Sequence, residues 1–170
     1  MERARGLGPL PLTAYSFRVY EIKIRLADFA EPAVQALLVD VLDELSERYG
    51  GSGDDTPIAT DDFTAPNGAF LVADDGERLV GCAGWRRHGD DAELKRMFTA
   101  KSARKRGLGR RLLAAIEESA RAAGCHRLIL ETGDRQPEAI ALYETAGYAR
   151  IEDFGYYKDH ADVLSFAKDL

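Results

Sequence analysis

Cysteine, tryptophan, methionine and histidine are all scarce in this chain: two, one, two and three residues among 170. The two thiols sit among small and apolar neighbours, in Val80-Gly81-Cys82-Ala83-Gly84 and Ala123-Gly124-Cys125-His126. That argues against a disulfide framework, and both are read as reduced packing residues. His88, His126 and His160 are scattered, and with no Cys-x-x-Cys pair beside them they point to no metal site. Long apolar runs are missing too. No stretch approaches the roughly 18–20 residues that a bilayer span requires, and residues 1–12 lack the apolar core of a signal peptide. No membrane partner is expected, and a soluble, cytoplasmic protein is the default.

What the chain does have is the size and apolar content of one globular domain, with 45% hydrophobic residues. Its formal net charge of −6 is unevenly spread. Residues 94–111 carry eight basic side chains (Lys95, Arg96, Lys101, Arg104, Lys105, Arg106, Arg110 and Arg111) and no acidic one. Residues 26–77 carry thirteen acids against the single cation Arg48. A nucleic-acid partner is not expected, because the basic segment has no interleaved aromatic beyond Phe98 and sits on a net acidic domain.

Residues 1–18, with Gly6, Gly8, Pro9 and Pro11, read as an irregular lead-in. The segment 19–26 alternates as a strand. Asp28 and Pro32 then open a helix whose apolar residues Val34, Leu37, Leu38, Val41, Leu42 and Leu45 recur at helical spacing to about Tyr49. The polar stretch from Gly50 to Gly68 is a long loop, of a length uncommon unless it serves a site or moves. Strands over 69–73 and 78–87 flank the turn Asp74-Asp75-Gly76-Glu77, and a third covers 92–99. Residues 107–123 form the clearest helix, with Leu108, Leu112, Ala115, Ile116, Ala120 and Ala123 on one stripe and Gly124 as its stop. A strand over 127–131, a helix over 137–146 and strands over 148–153 and 163–168 complete a mixed sheet with helices on its faces. Trp85 is read as core or rim packing.

The chemistry concentrates in Arg104-Lys105-Arg106-Gly107-Leu108-Gly109-Arg110-Arg111, between a strand and the best helix. A helix N-terminus offers unpaired N–H groups and a partial positive charge, so glycines there let an anion approach the backbone while basic side chains flank it. No Gly-Lys-Ser or Gly-Lys-Thr follows, which excludes the P-loop. The third glycine of the dinucleotide fingerprint is absent, and so is a Gly-x-Ser-x-Gly nucleophile elbow.

The pattern Arg104-x-x-Gly107-x-Gly109 follows the strand Glu93-Leu94-Lys95-Arg96-Met97-Phe98-Thr99. Some thirty residues later comes Ala139-Ile140-Ala141-Leu142-Tyr143-Glu144-x-x-Gly147-Tyr148. Together these motifs resemble the GNAT N-acetyltransferase superfamily, from about Tyr20 to the C-terminus and most strongly over 92–151. The resemblance implies an α/β fold, a central mixed sheet of about six to seven strands with helices on both faces, and a single N-acetyltransferase domain over 19–170. It implies acetyl-CoA as co-substrate and no metal. The loop of Arg104, Lys105, Arg106, Gly107, Leu108, Gly109 and Arg110 would hold the pyrophosphate. Met97, Phe98 and Thr99 would pair through their backbone with the pantetheine arm, on a strand that splays from its neighbour to admit it. Tyr143 matches the family's tyrosine near the thioester sulfur, where a phenol can donate a proton to the departing thiolate. Gln136 stands where many members carry Asn, which puts that contact with the cofactor in doubt.

An amine with a pKa near ~10.4 must lose a proton before attack, so an acceptor for it is expected. Glu93 is the first choice and Glu131 the alternative. The family's N-terminal helix and following loop form one wall of the acceptor groove. Here that region is the acidic one, with Asp43, Glu44, Glu47, Asp54, Asp55, Asp61 and Asp62, which points to a cationic small-molecule or peptide amine as acceptor. A homodimer is compatible with the sequence. The rival reading is a non-catalytic CoA-binding module of the same fold.

Overall fold

The structure is a computed structural model and describes residues 21–170. The expected lead-in over 1–18 and the first two residues of the expected strand over 19–26 lie outside the described residues. Within them the first strand, β1, is Lys23–Leu26. Pro32 opens the helix α1 (Pro32–Tyr49) at the position where its missing N–H costs nothing, and Gly50 ends it with φ 79°. The long polar loop is not wholly irregular: Thr60–Phe63 forms a short 3₁₀ turn that buries Phe63. The rings of Phe29 and Phe70 pack on Phe63 at 4.7 and 5.3 Å, and this aromatic cluster pins the end of the loop to the sheet.

Strands β2 (Gly68–Asp74), β3 (Leu79–His88) and β4 (Asp91–Thr99) form an antiparallel meander. Helix α2 (Leu108–Ala122) crosses back to β5 (Arg127–Gly133), which runs parallel to β4. Helix α3 (Pro137–Thr145) leads to β6 (Ala149–Arg150) and β7 (Val163–Asp169). The seven strands stand in the order β1-β2-β3-β4-β5-β7-β6, so the last strand inserts between β5 and β6. The strand expected over 148–153 shrinks to two residues. Asp153 Oδ1 accepts from the Ser165 N–H and from Arg150, which turns the chain out of the ladder.

Alternation along the strands sends one set of residues to each face of the sheet. Phe70, Val72 and Cys82 meet Val34, Leu37, Leu38 and Val41 of α1 on one side. Leu71, Ala83, Trp85, Leu94, Leu128 and Leu130 meet Leu113, Ile116 and Ala120 of α2 and Tyr143 of α3 on the other. Each large apolar side chain so buried contributes roughly 1.5–3 kcal/mol before chain entropy is charged. Trp85 belongs to this core and donates from its indole N–H to Ser119 Oγ at 2.9 Å. Both cysteines are buried free thiols, and burial pushes the Cys82 thiol up to about 12. Among the described residues no helix is long and apolar enough to cross a membrane.

Two irregularities of β4 place the site. Its parallel pairing with β5 covers only Ala92 with Leu128 and Glu93 with Ile129, after which the strands part. Its pairing with β3 jumps from Gly84–Lys95 to Cys82–Phe98, so Arg96 and Met97 together oppose Ala83. That extra residue is a β-bulge, with Arg96 at φ 55° and its carbonyl accepting from Cys82 Sγ at 3.2 Å. A bulge bends its strand, and here β4 turns away from β5.

Candidate active site

The fork between β4 and β5 opens into a cavity of about 680 Å³. One arm of it is continuous in sequence: Met97, Phe98 and Thr99 at the end of β4, then Arg104, Lys105, Gly107, Leu108 and Gly109 at the head of α2. Gly107 is the N-cap of α2 with φ 73°, a left-handed conformation that costs a side-chain-bearing residue about 1–2 kcal/mol, and nothing lies within 4 Å of where a Cβ would stand. No side chain caps this helix N-terminus, and its first residues Leu108 and Gly109 line the cavity with Gly107, where unpaired amides suit an anion. Lys105 also has positive φ, at 61°, and lines the cavity.

The other cations of the basic segment behave differently. Arg104 is a strut: its Nε donates to Thr99 O at 2.9 Å and its Nη2 to both oxygens of Glu44 on α1 at 2.6 and 2.7 Å. Arg106 and Arg110 are exposed and do not line the cavity, so the backbone and Lys105 stand where more side-chain charge was expected.

Gln136, the N-cap of α3, and Tyr143 on its inner face line the cavity opposite Met97. Tyr143 is 6% exposed, and its hydroxyl donates to Met97 Sδ at 3.9 Å. Burial pushes this phenol well above its ordinary value, so it keeps its proton throughout the physiological range. A thioether is a weak acceptor, which leaves the proton available to a stronger one.

A ladder of buried charge spans the fork. Glu93 lies directly across β3–β4 from Arg86, and Lys95 follows it on the same face. The Lys95 ammonium is 2.8 Å from Glu93 Oε1 and 3.1 Å from Glu131 Oε2 on β5, bridging the strands beyond the end of their backbone pairing. The other Glu93 oxygen accepts from Arg86 Nε at 2.9 Å, and Arg86 continues to Asp62 at 3.0 Å. Burial alone would raise the Glu93 carboxyl; Lys95 and Arg86 together outweigh it and hold the group below its ordinary value. Glu93 stands behind the wall, not in it, whereas Lys95 and Glu131 line the cavity. Glu131 is engaged as well, its Oε2 with Lys95 and its Oε1 accepting from the Tyr157 N–H at 3.3 Å; what separates the two carboxylates is that Glu131 lines the cavity and Glu93, expected first as base, does not.

The far wall comes from the end of α1, residues 50–56, Tyr157 and His160. Of the acids expected there, Glu44, Asp54 and Asp55 line the cavity, while Asp43, Glu47, Asp61 and Asp62 do not. Glu44 is tied to Arg104 and Arg48. Asp54 pairs with Arg96, and its other oxygen accepts from the Tyr157 hydroxyl at 3.0 Å and the Thr56 N–H at 2.9 Å. Sequence reasoning missed Arg96, Tyr157 and Thr56 as site residues. The one available signal was Tyr156-Tyr157, an aromatic pair outside any periodic element.

A parallel strand pair forced open above a bare helix N-terminus, with a buried phenol beside the opening, is the architecture of an acyltransferase. The model of the acetyltransferase (GNAT) family matches residues 38–148. An IAA acetyltransferase from Azospirillum brasilense is 39% identical over 148 residues, covering 82% of this chain and 95% of that protein. A solved structure described as a candidate acyl-CoA N-acyltransferase from Klebsiella pneumoniae superposes with a TM-score of 0.72 at 29% identity, covering 88% of this chain and 97% of that one. A GNAT acetyltransferase from Elizabethkingia anophelis with acetyl-CoA bound shares the fold at 18% identity, with a TM-score of 0.64 and coverage of 88% and 98%. The chain belongs to the GNAT acetyltransferase family.

Proposed function

We propose that the protein transfers an acetyl group from acetyl-CoA to a primary amine by direct attack, with Tyr143 as the acid and Glu131, in place of Glu93, taking up the amine proton directly or through water. The observation that carries this reading is the buried Tyr143 hydroxyl at the fork, facing Met97 with no acceptor stronger than a thioether. Acetyl-CoA fits the cleft on this chain's own features. The head of α2 is bare and Lys105 stands beside it, as a pyrophosphate requires, and the diverging end of β4 at Met97, Phe98 and Thr99 offers backbone to a pantetheine arm. Gln136 lies in the same wall.

In the reaction the amine nitrogen bonds to the thioester carbon as the C–S bond breaks. Backbone N–H near Met97 or Phe98 steadies the carbonyl oxygen, the departing sulfur takes the Tyr143 proton, and the nitrogen's surplus proton passes to Glu131. Glu93 acts through Lys95, fixing the ammonium that orients Glu131, and is a positioning residue.

The test is initial-rate kinetics of CoA thiol release over an amine panel. Tyr143→Phe is expected to lower kcat roughly 100-fold or more with little change in the KM for acetyl-CoA. Full kcat in that variant across pH would remove the acid role. Tight acetyl-CoA binding with no transfer to any acceptor would favour the non-catalytic module.

A further inference from the structure

We propose that the acceptor carries a carboxylate in addition to its amine, and that Arg96 is the residue that binds it; this deepens the transferase reading and rests on it. Arg96 is held at φ 55°, a strained conformation for a residue with a side chain, and the strain sits where its guanidinium joins the cavity wall. The side chain is 9% exposed, yet Asp54 is its one protein acceptor among the described residues. A guanidinium presents five N–H groups in a planar fork matched to a carboxylate, so most of this fork has no protein partner. Burial also pulls Arg96 below its ordinary value, with Tyr157 opposing.

Neighbouring groups narrow the choice. Lys95 is no competitor for the carboxylate, since Glu93 and Glu131 already hold its ammonium. Asp54 leaves part of the fork to a second acceptor, because it meets the guanidinium through Oδ2 at Nη1 alone while Tyr157 and the Thr56 N–H hold its Oδ1. Thr56 supplies an independent sign: it lines the cavity, is 5% exposed, and its Oγ1 has no hydrogen-bond partner among the described residues. Beside this cationic fork, one residue along β4, the Lys95–Glu131 pair borders the fork where the amine must stand. A cation next to an anion in one wall suits a zwitterion, and a polyamine without an acid group would set like charge against Arg96. Of the acids of residues 26–77 that line the cavity, Glu44 and Asp54 are paired with arginines, which leaves Asp55 as the one without such a partner among the described residues.

The experiment compares α-amino acids with their carboxamides, and with spermidine as a probe lacking any anion, at saturating acetyl-CoA. The carboxylates are expected to exceed their amides by roughly tenfold or more in kcat/KM, mostly through KM. Arg96→Gln is expected to bring that ratio toward one. Arg96→Lys, which keeps the charge and the pairing with Asp54 but not the planar fork, should retain part of it. Preference for spermidine or the amides, or an equal loss on both members of each pair in Arg96→Gln, overturns the proposal. If no amine is acetylated, the transferase reading fails by itself, and calorimetry with the same amino acids on the acetyl-CoA-loaded protein decides the anion site. Binding that Arg96→Gln abolishes upholds it, and no binding overturns it.

Discussion

The two arms of the cleft are built on opposite plans. Along the cofactor arm, residues 97–99 and 104–109 are near neighbours in sequence, and what they offer is backbone: a strand end, a glycine at positive φ and the uncovered head of a helix. Across from it, the opposite wall of the cavity is assembled from α1, residues 50–56, the fork of β4 and β5 and Tyr157, and what it offers is side-chain charge, nearly all of it paired. Backbone donors suit a co-substrate whose phosphates look alike in every turnover. Paired side chains bind each charge to its partners in a fixed geometry, which suits the part of the reaction where chemical identity matters. A site of the first kind tolerates the loss of a surface charge and suffers when the main chain is constrained; a site of the second kind does the reverse.

The largest effect expected from that contrast is on the charge ladder. Glu93→Gln leaves Lys95 and Arg86 buried beside an amide, and breaking a buried pair in this way should cost about 3–5 kcal/mol in urea unfolding. The sign with pH follows from the depressed carboxyl. Its contribution is fully present above the ordinary value of 4.5 and is lost as pH falls through the lower folded value, so wild type and variant should converge in acid. Equal stability of the two at neutral pH would break the claim that this wall is held by charge. Next in size, Gly107→Ala forces a side chain into the left-handed region and should cost about 1–2 kcal/mol with a raised KM for acetyl-CoA, although no atom obstructs the added methyl. Wild-type stability in this variant would mean that the helix cap is not held there. Smallest is the effect of single cations on the cofactor arm. Lys105→Ala should raise the acetyl-CoA KM several-fold, about 1 kcal/mol, in a salt-dependent way, whereas Arg106→Ala and Arg110→Ala should each move it by less than about twofold. An equal response from all three would show that the arm works by general field rather than by contact.

The same contrast explains how much was legible in the sequence. Helices α1 and α2 announced themselves through apolar spacing and through Pro32, Gly50 and Gly124, because each signal is local. The positions of Gly107, Gly109 and Lys105 were legible for the same reason: they stand at the head of a helix that the sequence marks locally, and they line the cavity there. Arg104 carried the motif yet serves as a tie to Glu44, a partner sixty residues away that spacing does not reveal. Position at the head of the cofactor strand favours Glu93 over Glu131 as base, and only the register that sets Arg86 opposite Glu93 shows that it stands behind the wall while Glu131 lines the cavity. The insertion of β7 between β5 and β6 likewise depends on long-range pairing, with no trace in either strand's own residues.

The bulge at Arg96 also acts as a change of parity. Strict alternation would put Leu94 and Phe98 on one face of the sheet and Lys95 and Met97 on the other. In the folded chain Leu94 and Met97 both pack toward α2 and α3, while Phe98 packs with the cluster beneath α1. One short strand thus holds two phases of the same repeat, the first serving the buried ladder and the second the cleft. Deleting Arg96 would restore regular alternation through Leu94, Lys95, Met97 and Phe98 and leave each of these side chains on the face it now occupies. The inserted residue is therefore the one position of the strand released from the repeat, and it brings a guanidinium to the cavity wall while the residues on either side keep their faces.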